Sequence, residues 1–314
     1  MRAKRRFRIN YLRLALMLLF VSMIAYGVFV LSMNMYEANG NGETSAEDPP
    51  AGAGDALPGQ SGTGSDAPPG RAGSDDEAAE NPFAAFYWYE SDRQARYENY
   101  AANRPKLSPE EVVWRVDADL DRIAYTNIVT VTDFAPPILL NKYRKIPDDY
   151  VPADLVNTSS GQQMTAGTKS AYEALRDAAG VAGCRISAFS AYKSVEYQKG
   201  VYNKYVMDYG KDAADDFVAR AGHSEHHLGT AIDLAGSAGT TEGFAGTPEA
   251  EWVAENAWRY GFILRYTEAN QDVTGYTPEP WHITWVGEEA AAIMHERGIG
   301  SLEEYVVKYV RNSP

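Results

Sequence analysis

A long stretch near the N-terminus of this 314-residue chain cannot form a hydrophobic core. Residues 37–80 are mainly Gly, Ala, Pro, Ser, Asp and Glu, with ten acidic side chains and one arginine. Such a segment buries too little apolar surface to offset the entropy lost on ordering. We therefore predict a disordered acidic linker over residues 34–82. Folded structure is expected after it, in about 230 residues, which suits a single domain.

The residues before this linker have the pattern of a membrane anchor. Residues 1–13 carry six basic and no acidic side chains, and Leu14–Met33 is a run of twenty uncharged, mostly apolar residues. A run of that length can span a bilayer as a helix, and its basic flank is expected to stay in the cytoplasm. We predict a single-pass membrane protein whose folded domain is extracellular. A cleaved signal peptide is the alternative, although no good small-x-small cleavage site follows the apolar run.

The charge balance of the chain excludes one class of partner. The net charge is −14 and the isoelectric point is near 4.8. The chain therefore lacks the basic surface with which proteins bind nucleic-acid phosphates, and no nucleic-acid partner is expected.

Helix and strand patterns in the remaining residues mix without a regular strand–helix alternation, which predicts the α+β class with a small antiparallel sheet flanked by helices. A helix beginning at Pro109 is indicated by the possible cap Ser108 and the two glutamates that follow the proline. Strands are predicted at residues 184–192, 228–234 and 279–287. Further helices are predicted at residues 88–103, 168–183, 194–210, 212–222, 247–262, 287–298 and 301–311, and the second of these is expected to bury Ala171, Ala174, Leu175 and Ala178.

Two of the predicted strands carry candidate metal ligands. In residues 228–234, side-chain alternation places Asp233 on a face that otherwise holds only glycine and alanine, which leaves space beside the carboxylate. In residues 279–287, the same alternation gives His282 a defined face. If the two strands are antiparallel neighbours, Asp233 and His282 meet. His226, in the loop that enters the first strand, could supply a third ligand.

Two neutral imidazoles and one carboxylate with an open fourth position form the ligand set of hydrolytic zinc sites. The same set can hold non-haem Fe(II), but those sites usually space their first two ligands as H-x-D, whereas His226 and Asp233 are seven residues apart. A loop of polar histidines with a capping aspartate is the alternative that involves no metal. The pattern favours one bound Zn²⁺.

These residues belong to a set of spaced motifs that resembles a known enzyme family. Residues 224–233 read SEHHLGTAID and fit the pattern SxHxxGxAxD, and EPWH follows at residues 279–282. SAYKSVEYQ, NAWRYGFILRY and TGYTPEPWH extend the similarity over roughly residues 138–310. Together they resemble the VanY-like D-alanyl-D-alanine carboxypeptidases of the M15 (M15B) peptidase family. The resemblance implies the LAS/Hedgehog-type zinc peptidase fold and a substrate in peptidoglycan stem peptides.

The resemblance also implies a role for each matching residue. His226, Asp233 and His282 would be the zinc ligands. Glu279 would be the general base, which takes a proton from the attacking water and returns it to the leaving amine. The remaining matches are expected to form the substrate pocket: Ser224, Gln198, Trp281 and Tyr192, the last with packing as its alternative role. Two other histidines, His223 and His227, are expected outside the ligand set, beside it or at the surface.

Two positions depart from the family pattern. Lys193 stands where the family has the arginine of SGYR, and Thr284 stands where an arginine commonly follows EPWH by two residues. We expect Lys193 to supply a positive charge to the substrate carboxylate or the oxyanion, without the two-pronged geometry of a guanidinium. Both departures concern how the substrate is held, and the predicted ligands and base are intact.

The predicted organisation thus has five parts. They are a cytoplasmic segment (1–13), a transmembrane anchor (14–33), the acidic linker (34–82), a helical N-terminal extension (83–137) and a monomeric zinc carboxypeptidase domain (138–314). The expected reaction is removal of the terminal D-Ala from stem peptides by a D,D-carboxypeptidase. The alternatives are an L,D-carboxypeptidase acting on tetrapeptide stems, a non-catalytic wall-binding or sensor domain that retains zinc, and an endopeptidase acting on cross-bridges.

Overall fold

The computed structural model describes residues 81–241 and 243–310. The predicted cytoplasmic segment, the predicted transmembrane anchor and nearly all of the predicted linker lie outside these residues. Within the described part, none of the helices has both the length and the apolar character needed to cross a membrane.

The described elements mix short strands with helices. Along the chain they are α1 (Gln94–Asn103), α2 (Pro109–Asp117), β1 (Val129–Thr130), β2 (Arg144–Lys145), β3 (Leu155–Asn157), β4 (Gln163–Thr165), α3 (Ala166–Val181), β5 (Ser187–Ser190), α4 (Val195–Tyr209), α5 (Lys211–Phe217), β6 (Ala231–Ala235), α6 (Pro248–Asn256), β7 (Phe262–Leu264), α7 (Gln271–Thr274), β8 (His282–Trp285), α8 (Glu288–Arg297) and α9 (Leu302–Tyr305). Single 3₁₀ turns lie at Ser91–Arg93, Glu225–Leu228, Ala257–Tyr260 and Glu268–Asn270, and a π turn lies at Val306–Val310.

A four-stranded sheet with the order β5-β6-β8-β7 forms the centre of the domain, and all of its pairs are antiparallel. Strand β6 is buried along its whole length. Its apolar face contributes Ile232 and Leu234 to the main core, in which β8 and β7 place Ile283 and Phe262. The predicted small antiparallel sheet is therefore confirmed. Outside it, β3 pairs with β4 in an antiparallel hairpin, and β1 pairs with β2 in parallel.

Helix α2 begins as its sequence predicts. The Ser108 hydroxyl accepts a hydrogen bond from the Glu111 backbone N–H at 3.2 Å, and the Glu111 carboxylate accepts one from the Ser108 N–H at 2.9 Å. This reciprocal pair is a capping box, with proline at the first helical position.

Helix α3 buries Leu175 as predicted, but the rest of its buried face differs from the prediction. Tyr172, Leu175 and Ala179 are its buried apolar residues, whereas Ala174 is exposed. The reason is Tyr172, whose ring enters the main core and whose hydroxyl accepts a 2.7 Å hydrogen bond from the Ala188 N–H on β5. Burial of this large aromatic ring turns the helix away from the alanine-rich face that the sequence pattern favoured.

The segment before β6 also differs from its prediction, because the strand begins at Ala231 and not at residue 228. Residues Glu225–Leu228 form a 3₁₀ turn that ends at Gly229, which has a φ of 67°. A Cβ atom at position 229 would lie 2.9 Å from Leu155 Cδ2, so both the backbone angle and the close packing require glycine. His226 therefore lies on a closed turn and not in an open loop.

The predicted N-terminal extension is helical at α1 and α2 and shares a hydrophobic core with the C-terminal part of the chain. Its aromatic residues pack with Val273 and Val307; they include Phe83, Trp88, Tyr97 and Trp114. An ion pair of 2.6 Å between Lys308 Nζ and Glu110 Oε1 joins the same two regions.

Candidate metal centre and active site

Three elements bring His226, Asp233 and His282 together. The 3₁₀ turn carries His226, β6 carries Asp233, and the register of β6 and β8 makes Asp233 and His282 direct partners. One possible ligand atom from each residue lies within 4.8 Å of the other two. The His226 Nε2 is 3.2 Å from Asp233 Oδ2, and the His282 Nδ1 is 3.1 Å from Asp233 Oδ1. The predicted convergence of these three residues is confirmed.

A backbone carbonyl fixes the orientation of the His226 ring. Its Nδ1 lies 2.5 Å from the Ala191 carbonyl oxygen, which can only accept a hydrogen bond. Nδ1 therefore carries the proton, and Nε2 presents its lone pair toward Asp233. Burial lowers the pKa of His226 to about 4, so the imidazole is neutral at neutral pH, as a metal ligand requires.

The His282 ring has acidic groups on both sides. Nδ1 faces Asp233 and also lies 3.6 Å from Glu279 Oε2, while Nε2 lies 3.7 Å from Glu225 Oε2. Burial alone would lower the pKa of His282, but hydrogen bonds to Asp233 and Glu225 outweigh it and raise the pKa to about 9. The surroundings of this ring thus favour its protonated, positively charged form.

The Asp233 carboxylate lies next to nitrogen atoms of three side chains. Oδ1 faces His282, and Oδ2 faces His226 and also the Lys193 ammonium, whose Nζ is 2.9 Å away. Burial opposes ionisation of Asp233, yet the neighbouring His226 and Lys193 hold its pKa well below the usual range. Asp233 is therefore an ionised carboxylate in a buried site.

Glu279 is held next to the candidate ligands by a turn at the start of β8. Its N–H donates to the Tyr266 carbonyl at 2.9 Å, and its carbonyl accepts from the His282 N–H at 3.0 Å. Its side chain is 23% exposed, so one edge of the carboxylate faces outward. Burial, supported by the charge of Asp233, raises the pKa of Glu279 to about 7 against the opposing effect of His282. A carboxyl group with this pKa can both accept and donate a proton near neutral pH.

Lys193 lies at the same centre, with its side chain directed to a ligand carboxylate. Its backbone is fixed on both sides: its N–H donates to the His226 carbonyl at 3.3 Å, and its carbonyl contacts the His227 Nδ1 at 2.7 Å. The side chain remains 22% exposed. The predicted positive charge is therefore present at the site, and its closest contact is Asp233.

The two other histidines of the run are buried, so the alternative that placed them at the surface is wrong. His227 Nε2 accepts from the Gly222 N–H at 3.1 Å, which leaves its Nδ1 protonated to donate to Lys193. The Nδ1 of His223 lies 2.8 Å from the Asn141 carbonyl. Both side chains thus hold loops in place, beside the ligand set and outside it.

The four predicted pocket residues have different surroundings. Gln198 is buried, and its amide nitrogen donates to the Ala219 carbonyl at 2.8 Å, so this group supports the loop before the histidine run. Ser224 is buried at the N-terminal end of the 3₁₀ turn, next to the ligand turn. Trp281 and Tyr192 are half-buried; the first packs against the main core, and the second adjoins Lys193. Their contact with substrate stays a prediction.

A buried polar network that the sequence did not predict lies behind His282. Thr284 Oγ1 lies 3.4 Å from His282 Nε2 and donates to Glu225 Oε2 at 2.6 Å. The other oxygen of Glu225 accepts from Arg265 Nε at 2.6 Å, and Arg265 also pairs with Glu303. Burial raises the pKa of Glu225, but Arg265 outweighs this and lowers it to about 2. One sequence feature could have indicated this network, namely the charged residue Arg265 within the otherwise uncharged run FILRY.

The donor set of this centre fits a zinc ion. Zinc in hydrolytic enzymes takes imidazole nitrogens and carboxylate oxygens. Here the neutral His226 offers Nε2, the ionised Asp233 offers its oxygens and His282 offers Nδ1, all within a buried and anionic environment. The predicted zinc cofactor agrees with this arrangement.

Comparison with known proteins identifies the family. Residues 161–288 match the sequence model of the family described as VanY, D-alanyl-D-alanine carboxypeptidase. The solved structure of the LdcB LD-carboxypeptidase is 32% identical, with a TM-score of 0.54, and the similarity covers 58% of this chain and 91% of that one. The chain belongs to the VanY family. The match contains every candidate ligand, the predicted base and all of the predicted pocket residues.

Two curated relatives of this VanY-family chain extend the comparison. YodJ of Bacillus subtilis (strain 168), named as a carboxypeptidase, is 36% identical over 182 residues, which are 54% of this chain and 66% of the relative. The D-alanyl-D-alanine carboxypeptidase of Enterococcus faecalis is 34% identical over 180 residues, which are 54% of this chain and 65% of the relative. The matched part is thus slightly less than two thirds of each relative's length.

Proposed function

We propose that this chain is a zinc carboxypeptidase that removes the terminal D-Ala from peptidoglycan stem peptides. The observation that carries the proposal is the position of Glu279, whose carboxylate lies 3.6 Å from the His282 Nδ1 beside three convergent ligand residues. A proton acceptor next to a zinc-type ligand set is the arrangement of a metal-dependent hydrolase. The name of the Enterococcus faecalis relative supports the choice of substrate.

Glu279 performs the proton transfers in this mechanism. A zinc ion held by His226, Asp233 and His282 would polarise the scissile carbonyl and make water a better nucleophile at neutral pH. Glu279 accepts the proton of the attacking water and then donates it to the nitrogen of the departing D-Ala. Its raised pKa suits both steps, because the group gains and loses a proton near neutral pH.

Lys193 supplies the fixed positive charge of the site. Its ammonium is anchored on Asp233 while part of its side chain faces solvent, so it can approach an anionic group on an incoming substrate. A carboxypeptidase must bind a free terminal carboxylate and stabilise negative charge on the scissile carbonyl, and an ammonium favours either. We assign Lys193 to this role.

L,D-carboxypeptidase activity is a second candidate. The structural neighbour with a TM-score of 0.54 is named as an LD-carboxypeptidase, and the ligands and base described above would serve either bond. The two activities differ in the residue that precedes the terminal D-Ala, so substrate length distinguishes them.

The setting of the reaction is also part of the proposal. The basic segment and the apolar run at residues 1–33 support a membrane-anchored, extracellular catalytic domain. Protease added to intact cells with a permeabilised wall should remove the domain from the membrane fraction. Full protection of the domain under these conditions would contradict the extracellular location.

Mass spectrometry of defined muropeptides tests the reaction. The full-length protein with added zinc is incubated separately with tri-, tetra- and pentapeptide stems. Conversion of the pentapeptide to the tetrapeptide supports D,D-activity, and conversion of the tetrapeptide to the tripeptide supports L,D-activity. An unchanged mass for every substrate would favour a non-catalytic binding domain, and cleavage inside a cross-linked dimer would favour an endopeptidase.

A further inference from the structure

The edge of the His282 ring that points away from the other candidate ligands contacts a buried network of polar groups. Thr284 lies two residues further along β8, so its side chain is on the same face of the strand as His282. Its Oγ1 is 3.4 Å from His282 Nε2, and Glu225 Oε2 is 3.7 Å from the same nitrogen. Two oxygens therefore face the ring nitrogen that does not face Asp233.

The direction of each hydrogen bond in this network follows from the donors available. Glu225 is paired with a guanidinium and acts as a carboxylate, which only accepts, so the single hydroxyl proton of Thr284 goes to Glu225 Oε2. The oxygen of Thr284 can then only accept from His282. The proton of a neutral His282 is thereby placed on Nε2, and the lone pair of Nδ1 is directed toward Asp233 and the candidate metal position.

Glu225 cannot easily turn away from this arrangement. Arg265 donates from Nε to Glu225 Oε1 at 2.6 Å, and its other nitrogens bond the two oxygens of Glu303 at 3.1 Å and 2.8 Å. The side chains of Glu225, Arg265 and Glu303 are at most 1% exposed. Removal of one partner from such a buried set leaves an uncompensated charge, so the carboxylate is fixed in orientation by its pairing.

We propose that Thr284 and Glu225 are positioning residues that hold the Nε2–H of His282 and so present Nδ1 to the metal. The inference rests on the metal site of the proposed function, and it assigns a role to Thr284, one of the two positions at which the sequence departs from the family pattern. Groups that orient a ligand histidine from behind commonly change metal affinity about 10- to 100-fold when they are removed.

A purely structural role for Thr284 makes a different prediction. In that case the hydroxyl would serve only to satisfy the buried Glu225 carboxylate. Its loss would then lower the stability of the fold without a specific effect on zinc affinity. Metal affinity and stability therefore have to be measured on the same variants.

Thr284→Val is the informative substitution, because it keeps the shape of the side chain and removes the hydroxyl. Zinc affinity is measured on the full-length protein by competition with a chromophoric chelator, and thermal unfolding of the chelator-treated protein reports stability. We expect Thr284→Val to weaken zinc binding about 10- to 100-fold and Thr284→Ser to restore it. Thr168→Val is the matched control, since it removes a buried hydroxyl whose partner is Thr165, the residue that caps α3, and its zinc affinity should be unchanged.

A second measurement needs no variant. Nitrogen-15 chemical shifts of His282 in the zinc-loaded wild type identify which ring nitrogen binds the metal, and we expect metal at Nδ1 and a proton at Nε2. The proposal is overturned if zinc is on Nε2, or if folded Thr284→Val binds zinc as tightly as the wild type. If either of these results is obtained and the wild type still cleaves muropeptides, only the positioning role of Thr284 and Glu225 is wrong. A wild type that binds no zinc would overturn the proposed function as well.

Discussion

Asp233 and His282 are register partners on the adjacent antiparallel strands β6 and β8, and His282 Nδ1 lies 3.1 Å from Asp233 Oδ1. Strand pairing fixes the distance between two side chains on one face more firmly than a loop would. Two of the three candidate ligands are thus set by the sheet itself. His226 joins them from a turn that Gly229 closes.

The first prediction concerns the roles of the histidines. His226→Ala and His282→Ala should each abolish stoichiometric zinc binding, because each removes one of three protein ligands. His223→Ala should retain the metal, since its ring contacts the Asn141 carbonyl and none of the ligands. Metal content after gel filtration checks this. Loss of zinc in His223→Ala with retention in His226→Ala would show that the ligand assignment is wrong.

The second prediction separates the base from the ligands. Glu279→Gln should bind zinc like the wild type and lose roughly 10²- to 10⁴-fold in kcat, because the acceptor of the water proton is gone. Steady-state kinetics and metal analysis of the same preparation measure both quantities. Glu255→Gln, at an exposed position on α6, is the control and should leave both unchanged. Wild-type turnover by Glu279→Gln would eliminate the proposed mechanism.

The third prediction is a release of protons when zinc binds. The pKa of His282 is raised to about 9, so the ring is protonated at pH 7.5 in the chelator-treated protein, and zinc must displace that proton from Nδ1. The apparent affinity should therefore rise about tenfold per pH unit between about pH 7 and 9 and then level off. Calorimetry in buffers of different ionisation enthalpy should show about one proton released at pH 7.5. A heat that does not depend on the buffer would contradict the charge state assigned to His282.

The fourth prediction concerns Lys193. Lys193→Ala should retain zinc, because it leaves all three candidate ligands in place. It should lower kcat/KM roughly 10- to 1000-fold, the scale of one charge-assisted contact to the substrate or the oxyanion. Lys193→Arg should be tolerated, since it keeps the charge. The control is Lys199→Ala, an exposed lysine on α4. Equal kcat/KM for Lys193→Ala and wild type on tetra- and pentapeptide stems would show that Lys193 does not act on the substrate.

The sequence predicted those parts of the site that depend on local periodicity. Alternation in two strands placed Asp233 and His282 on faces that meet once the strands pair, and the motif shared with the VanY-like family selected His226 from the run of three histidines. Glu279 and Lys193 followed from the resemblance to a family, and the structure places both beside the ligands.

The contacts that the sequence did not predict connect residues far apart in the chain. Arg265 pairs with Glu225 and Glu303, which are 40 and 38 residues away, and no periodic pattern links these positions. The buried face of α3 was assigned to three alanines and Leu175, because the pattern does not show that Tyr172 reaches the backbone of β5. Tertiary packing decided both features, and a helical or strand period carries no information about it.

Release of D-Ala as a function of zinc added per chain tests the central claim most directly. The full-length protein is stripped with a chelator, dialysed and titrated with zinc in the presence of tetra- and pentapeptide stems, and free D-Ala is measured by mass spectrometry. We predict no release without zinc and a linear rise that saturates at about one zinc per chain, as expected for one site with three protein ligands. Release by the stripped protein, or no release from either stem at full zinc occupancy, would contradict the account.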